Sequence, residues 1–286
     1  MNRRKIAVTT DCTSDLSDSL LDKYGIGIIY FSVVTDSGCF RDCDEITSMN
    51  VLELIEAGGS ARSLAPDTNE CIRFFTEKLK NCEELIHITM SSEISYSYRN
   101  CTEALKIMGD DAKRIKLLDS GTLSTGTGHI AIRASKLASE GKTSDEIIED
   151  LKAYRSRVST SFLVRNADYL FANGKVSEHI KKICDLFGIH PLLEIKNGKI
   201  HLKRFWSGNY ENAEIKYITS SVSKIENIDP ERVFITHAGC TVREINAAKK
   251  ILEKNGKFKN IYVTEASATV SSNCGPNTIG IIFIRK

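Results

Sequence analysis

In the first half of the chain, short apolar runs alternate with stretches whose apolar residues recur at helical spacing. Residues 6–10 read as a strand, after which Ser14 caps a helix carrying Leu16, Leu20, Leu21 and Tyr24, stopped by Gly25. A second strand is expected over 26–34. A helix with Val51, Leu52, Leu54 and Ile55 ends at Gly58-Gly59. Asp67 and Glu70 form a capping box for a helix through Leu79. Strands over 85–90 and 114–119 each lead into a helical pattern. Such alternation predicts a parallel sheet with helices on both faces. Ligands gather beyond the carboxyl ends of such strands, which directs attention to the loops starting at Asp11, Ser91 and Asp119.

The second half has a different rhythm. Apolar runs over 189–195 and 200–206 flank Lys196-Asn197-Gly198-Lys199, and Asn-Gly in that position signals a hairpin. Helical patterns follow around 213–225 and 243–254, with strands expected over 233–237, 260–264 and 279–284. The expected division is therefore residues 1–157, with a parallel sheet, and residues 158–286, with a mixed sheet and helices.

Composition narrows the class. The chain has 286 residues, 41% hydrophobic and 27% charged, and a formal net charge of +2 from well-mixed acidic and basic side chains. No basic stripe with interleaved aromatics is present, so nucleic acid is not expected as a partner. Arg3-Arg4-Lys5 is basic, but residues 6–8 are too short an apolar stretch for a secretory signal. No apolar run reaches the length of a membrane span, and a cytoplasmic location is expected. The nine cysteines are odd in number and scattered, consistent with thiols. Cys39 and Cys43 lack a second pair at zinc-ribbon spacing, so no metal site is expected there.

Candidate chemistry concentrates in three segments. Ser91-Ser92-Glu93-Ile94-Ser95-Tyr96-Ser97-Tyr98 lies where a strand turns into a helix carrying Ile94, Tyr98, Cys101, Leu105 and Met108. Backbone N–H groups and neutral hydroxyls there suit a carboxylate or phosphate; the plainer reading is that Ser91 or Ser92 caps the helix. Asp119-Ser120-Gly121 through Gly128 has the look of a phosphate loop but lacks its lysine, so Gly126 and Gly128 are read as close-packing positions. Asp11-Cys12-Thr13-Ser14-Asp15 reads as a turn with capping rather than an aspartyl nucleophile. Nothing in the sequence pairs Cys12 or Cys274 with a base, and His237 reads as a satisfied strand-end histidine. No catalytic set is visible.

A series of segments resembles the DegV family of bacterial fatty-acid-binding proteins. Asp11-Cys12-Thr13-Ser14-Asp15-Leu16 resembles its Asp-Ser-Thr-x-Asp-Leu opening, and Ser63-Leu64-Ala65-Pro66 its Thr-Ser-Gln-Pro. The Ser91–Tyr98 stretch is similar to Ser-Ser-x-Leu-Ser-Gly-Thr-Tyr. Asp119-Ser120 with Gly126 and Gly128, Asn173-Gly174-Lys175-Val176, Pro191-Leu192-Leu193 and Asn273-Cys274-Gly275-Pro276-Asn277 resemble further family segments in the same order. The resemblance implies a two-domain α/β protein that holds one long-chain fatty acid between its domains and needs no cofactor. It also implies that hydroxyls of Ser63 and Ser95 hold the carboxylate, with Tyr96 beside them and Lys175 and Asn273 near the head group. In several members the bound acid is presented to a separate fatty-acid kinase, so the carrier itself is not an enzyme.

The chain departs from the family at Lys175 for arginine, Asn273 for histidine, Tyr96 for glycine, Ser63 for threonine and Asn277 for glycine. Lysine keeps the charge and loses the planar fork, and asparagine cannot titrate. Two alternatives stay open. One is a hydrolase or phosphotransferase using Asp11, Asp119 or His237; the other is the same fold with a site remodelled for a different small amphiphile.

Overall fold

The structure, a computed structural model, describes residues 4–165, 168, 169, 178, 182 and 188–286. Strands β1 (Arg4–Asp11), β2 (Ile26–Ile29), β6 (Cys82–Thr89) and β7 (Ile115–Asp119) form a parallel sheet in the order β2-β1-β6-β7. Helices α1 (Asp18–Tyr24), α3 (Thr68–Leu79), α4 (Ser97–Ile107), α5 (Thr125–Ser139) and α6 (Ser144–Arg155) accompany it. The Asp67–Glu70 capping box is present, each side chain bonded to the other residue's backbone N–H.

The strand expected over 26–34 is two strands. β2 ends at Ile29, and β3 (Ser32–Thr35) joins a separate antiparallel sheet with β4 (Gly38–Arg41) and β5 (Ala61–Leu64), in the order β4-β3-β5. The break falls at Tyr30-Phe31, where the buried Phe31 ring packs with Cys12, Met90 and Leu123. An unbroken apolar stretch reports no change of sheet. Helix α2 (Ser48–Glu56) links β4 to β5.

Beyond residue 157, β8 (Val158–Leu163), β9 (Ile189–Lys196), β10 (Lys199–Ser207), β11 (Ile228–Ala238), β12 (Ile261–Glu265) and β13 (Thr278–Arg285) form a third sheet, ordered β10-β9-β8-β13-β11-β12. Only β11 and β12 pair in parallel, so the sheet is mixed. The β9–β10 hairpin turns at Asn197 (φ 51°) and Gly198 (φ 78°), the left-handed backbone that Asn-Gly supplies. Helices α7 (Tyr210–Ser221), α8 (Val242–Asn255) and α9 (Ala268–Cys274) complete the described elements. No helix among them is long and apolar enough to cross a membrane.

Helix α5 joins the parallel and mixed sheets. Its Ile130 and Ile132, both fully buried, share one core with Val8, Ile86 and Ile88 of the parallel sheet and Phe234 and Ile282 of the mixed sheet. Close approach is possible because Gly126 carries no side chain. A Cβ there would sit 2.6 Å from the Thr122 hydroxyl and still closer to that of Thr160, two groups that hydrogen-bond at 2.8 Å.

Gly126→Ala therefore sets two effects against each other. Alanine favours the helix by up to about 1 kcal/mol, whereas overpacking costs about 1–3 kcal/mol. The expected outcome is a net loss of about 1–2 kcal/mol, seen as a lower midpoint in urea at unchanged slope. A higher midpoint would show that the contact relaxes without cost.

Candidate functional site

A cavity of about 500 Å³ opens beyond the carboxyl ends of the parallel strands. The loops after β2, β6 and β7 supply Phe31, Met90, Ile94 and Leu123. The mixed sheet closes the opposite wall with residues such as Phe162 and Ile282, and α9 adds Val270. The lining is mostly apolar, so the space favours a hydrocarbon over a hydrated ligand.

Hydroxyls interrupt this wall, and most are already committed. Thr160 bonds Thr122, and Thr236 bonds both Thr125 and Thr264. Ser63 and Ser95 differ. Ser95 Oγ accepts the Ser97 N–H at 3.2 Å, and Ser63 Oγ accepts a long contact from Asn273 Nδ2 at 3.5 Å. Among the described residues, neither hydroxyl proton has an acceptor. Both side chains line the cavity although 32 positions separate them in the chain.

The structure thus brings Ser63, Ser95, Tyr96 and Asn273 to one cavity. Tyr96 is 69% exposed, with the Arg99 guanidinium 6.0 Å from its ring centre, so its ring stands at the mouth and leaves the interior open. Asn273 is held by its bond to the Thr269 carbonyl at 2.8 Å. Lys175 lies outside the described residues.

Three further residues face the cavity. Arg62, next to Ser63 on β5, has no ion-pair partner among the described residues. Thr269 on α9 has a buried hydroxyl without a partner. His237 lines the wall with its Nδ1 unpartnered, and burial shifts its pKa downward, favouring the neutral ring. The expectation of a satisfied histidine is thus corrected at this nitrogen. Thr269 gave no local signal, because α9 is a short helix with little periodicity.

The Asp-Cys-Thr-Ser-Asp segment turns out to be a clamp. Asp11 is fully buried; its carboxylate accepts the Met90 N–H at 2.8 Å and the Ser97 hydroxyl at 2.9 Å, fixing both ends of the serine-rich loop. His87 Nε2 lies 3.7 Å away, but burial pushes His87 down to about 3, so no ion pair forms. Asp15, in the left-handed region at φ 51°, accepts the Ser267 N–H and the Ser124 hydroxyl. Burial pushes both aspartates up to about 7, against the pull of these donors.

Ser14 does not cap α1; Ser17 occupies that position, and Cys12–Ser14 form a single 3₁₀ turn. Nor does Ser91 or Ser92 cap α4, which starts after Tyr96. Ser91 donates to the Gly198 carbonyl of the β9–β10 turn, and Ser92 donates to Asp119. Asp119 also accepts the Gly121 N–H, so it serves its own loop. Asp11 and Asp119 are therefore committed to hydrogen bonds within the fold, and among the described residues no hydrogen bond joins either of them to His237. Burial raises the Cys274 thiol to about 12, well away from a reactive thiolate.

This architecture defines an α/β class in which a parallel sheet, a mixed sheet and a small antiparallel sheet surround one mostly apolar cavity. The model of the DegV family, described as an uncharacterised protein family, matches residues 5–286, and the chain belongs to that family. A DegV domain-containing protein of Staphylococcus aureus (strain COL) is 24% identical over 283 residues, covering 99% of each chain. Among solved structures, a fatty-acid-binding DegV family protein from Thermus thermophilus superposes with a TM-score of 0.88 at 20% identity, over 99% of this chain and 100% of that one. A DegV family protein from Eubacterium eligens loaded with heptadecanoic acid gives 0.85 at 15% identity, over 98% and 100%. These likenesses establish the fold.

The clamp makes stability depend on pH in a defined direction. Asp15 titrates near 3.8 when free and near 7 when folded, so the folded chain binds more protons between those values. Its contribution is fully present below about 4 and lost as pH rises through about 7. The buried His87 and His129, both pushed down to about 3, slope the opposite way and are shared with any variant. Wild-type stability measured relative to Asp15→Asn should thus fall between about pH 4 and 7, by at most about 4 kcal/mol. A difference that stays constant over that window contradicts the assignment.

Proposed function

We propose that this chain binds one long-chain fatty acid in the cavity, between residues 1–157 and residues 158–286. The reading rests on one observation: the uncommitted hydroxyls of Ser63 and Ser95 face a mostly apolar cavity of about 500 Å³. A carboxylate needs donors, and these are donors without acceptors. Asn273 and Arg62 add polarity at the same end, and Tyr96 flanks the mouth. The fatty acids named for the Thermus thermophilus and Eubacterium eligens proteins support the same ligand class.

The energetics divide the work. A palmitate-sized tail has about fourteen methylenes at about 0.8 kcal/mol each, or roughly 11 kcal/mol gross. Desolvating the carboxylate costs several kcal/mol, which positioned donors offset in part. The tail sets affinity and the serines set orientation.

The chain acts as a carrier, and its carboxylate end, beside exposed Tyr96, is offered to a separate fatty-acid kinase. The chain has no activated nucleophile of its own among the described residues. The purified chain incubated with ATP and a fatty acid should leave the acid unmodified; acyl phosphate formed without a partner would make it an enzyme.

Denaturing extraction of the purified protein, followed by mass spectrometry, should yield a long-chain fatty acid near one per chain. A protein that is empty and also rejects added fatty acid sinks the reading. Affinity should rise about fourfold per added methylene until the cavity is filled. Ser63→Ala and Ser95→Ala should each weaken binding about tenfold to a hundredfold, as expected for losing a hydrogen bond to a charged group. Unchanged affinity in both variants would move the carboxylate elsewhere.

A further inference from the structure

Cys43 pairs in space with Cys12, not with its sequence neighbour Cys39. The sulfurs of Cys12 and Cys43 and a carboxylate oxygen of Asp42 all lie within 4.8 Å of one another. Cys12 and Asp42 are buried, and Cys43 is at the surface. We propose that Cys12, Asp42 and Cys43 bind one thiophilic divalent metal ion, with Zn²⁺ as the species their chemistry fits best.

The donor set decides the metal. Two sulfurs and one carboxylate oxygen suit Zn²⁺, whereas Mg²⁺ and Ca²⁺ require oxygen throughout. Tetrahedral Zn²⁺ with Zn–S bonds of about 2.3 Å places sulfurs about 3.8 Å apart, so the ligand atoms need draw together by only about 1 Å. Three protein ligands leave a fourth position for water, on the exposed Cys43 side.

The surroundings are built to hold these ligands. Cys12 Sγ accepts the Phe31 N–H at 3.2 Å, which steadies a thiolate. The two oxygens of Asp42 accept the Ala268 and Thr269 N–H groups at 2.8 and 2.9 Å; Oδ1 also accepts the Cys43 thiol at 3.4 Å, a contact a metal would replace once that proton leaves. Such outer contacts orient ligands before an ion arrives. Cys43 adopts φ 64°, a left-handed conformation uncommon outside glycine, asparagine and aspartate, within the turn that follows β4. Two thiolates and one carboxylate against Zn²⁺ leave one net negative charge, which these N–H donors partly offset. Binding releases the thiol protons to solvent, with no change of oxidation state.

The proposal is independent of the fatty-acid reading. The test is titration of the full-length, reduced chain with Co²⁺, whose thiolate charge-transfer absorption reports sulfur ligation, followed by displacement with Zn²⁺. One equivalent of Co²⁺ should bind with that absorption and be displaced by one equivalent of Zn²⁺. Cys43→Ser, at a surface position, should lower affinity by about 100-fold, at the upper limit of what even an outer-contact loss costs. Cys39→Ser should leave the titration unchanged. No charge-transfer absorption in wild type, equal absorption in Cys43→Ser, or a Cys12–Cys43 disulfide that persists after reduction would each overturn the site.

Discussion

Asp11, Asp15 and Asp42 are buried, and each satisfies its carboxylate with donors from segments far away in the chain. Asp11 reaches Met90 and Ser97, Asp15 reaches Ser124 and Ser267, and Asp42 reaches the first residues of α9. A buried carboxylate without donors would cost several kcal/mol, so each of these contacts is enforced. Together they hold the serine-rich loop, the Ser124 turn and α9 around a single cavity. An apolar ligand site has few polar contacts of its own to keep its walls in place. Here the walls are fixed from behind.

That arrangement explains the division between polar groups committed to the fold and polar groups left facing the cavity. Thr160 and Thr236 of the cavity wall bond other threonines, and the aspartates bond backbone and serine donors. What remains at the surface of the cavity is a small set of uncommitted donors on a hydrocarbon-like background. Neutral hydroxyls can hold a carboxylate without the larger desolvation cost of an added buried charge. Under the proposed function, departures from the family pattern are tolerable for the same reason. Asn273 keeps a donor where histidine would stand, and Tyr96 lies at the mouth instead of filling the interior.

Much of the fold was legible in the chain. The capping box at Asp67 and Glu70, the Asn197-Gly198 turn and the strand-helix alternation depend on residues a few positions apart, where spacing reports geometry directly. Ser63, Ser95 and Asn273 were reached through resemblance, since no local pattern links residues so distant in the chain. The break at Phe31, the start of α1 after Ser17 instead of Ser14 and the short helix α9 were not legible. Phe31 turns away because a pocket formed by Cys12, Met90 and Leu123 receives its ring. α9 begins at Ala268 where Asp42 and Ser267 supply its caps.

The sequence by itself determined the elements and their class, because periodicity and turn chemistry act over one or two turns of chain. It also determined the apolar character of the core and the absence of a local catalytic motif. Only the tertiary structure decided which polar groups are spent and which are left over. Asp11 and Asp15 became clamps, Ser63 and Ser95 stayed free to donate, and Cys43 met Cys12 and Asp42 in place of Cys39. Each of those outcomes depends on partners tens to hundreds of residues away, and a hydrogen-bond donor's availability is known only when every competing acceptor has been placed.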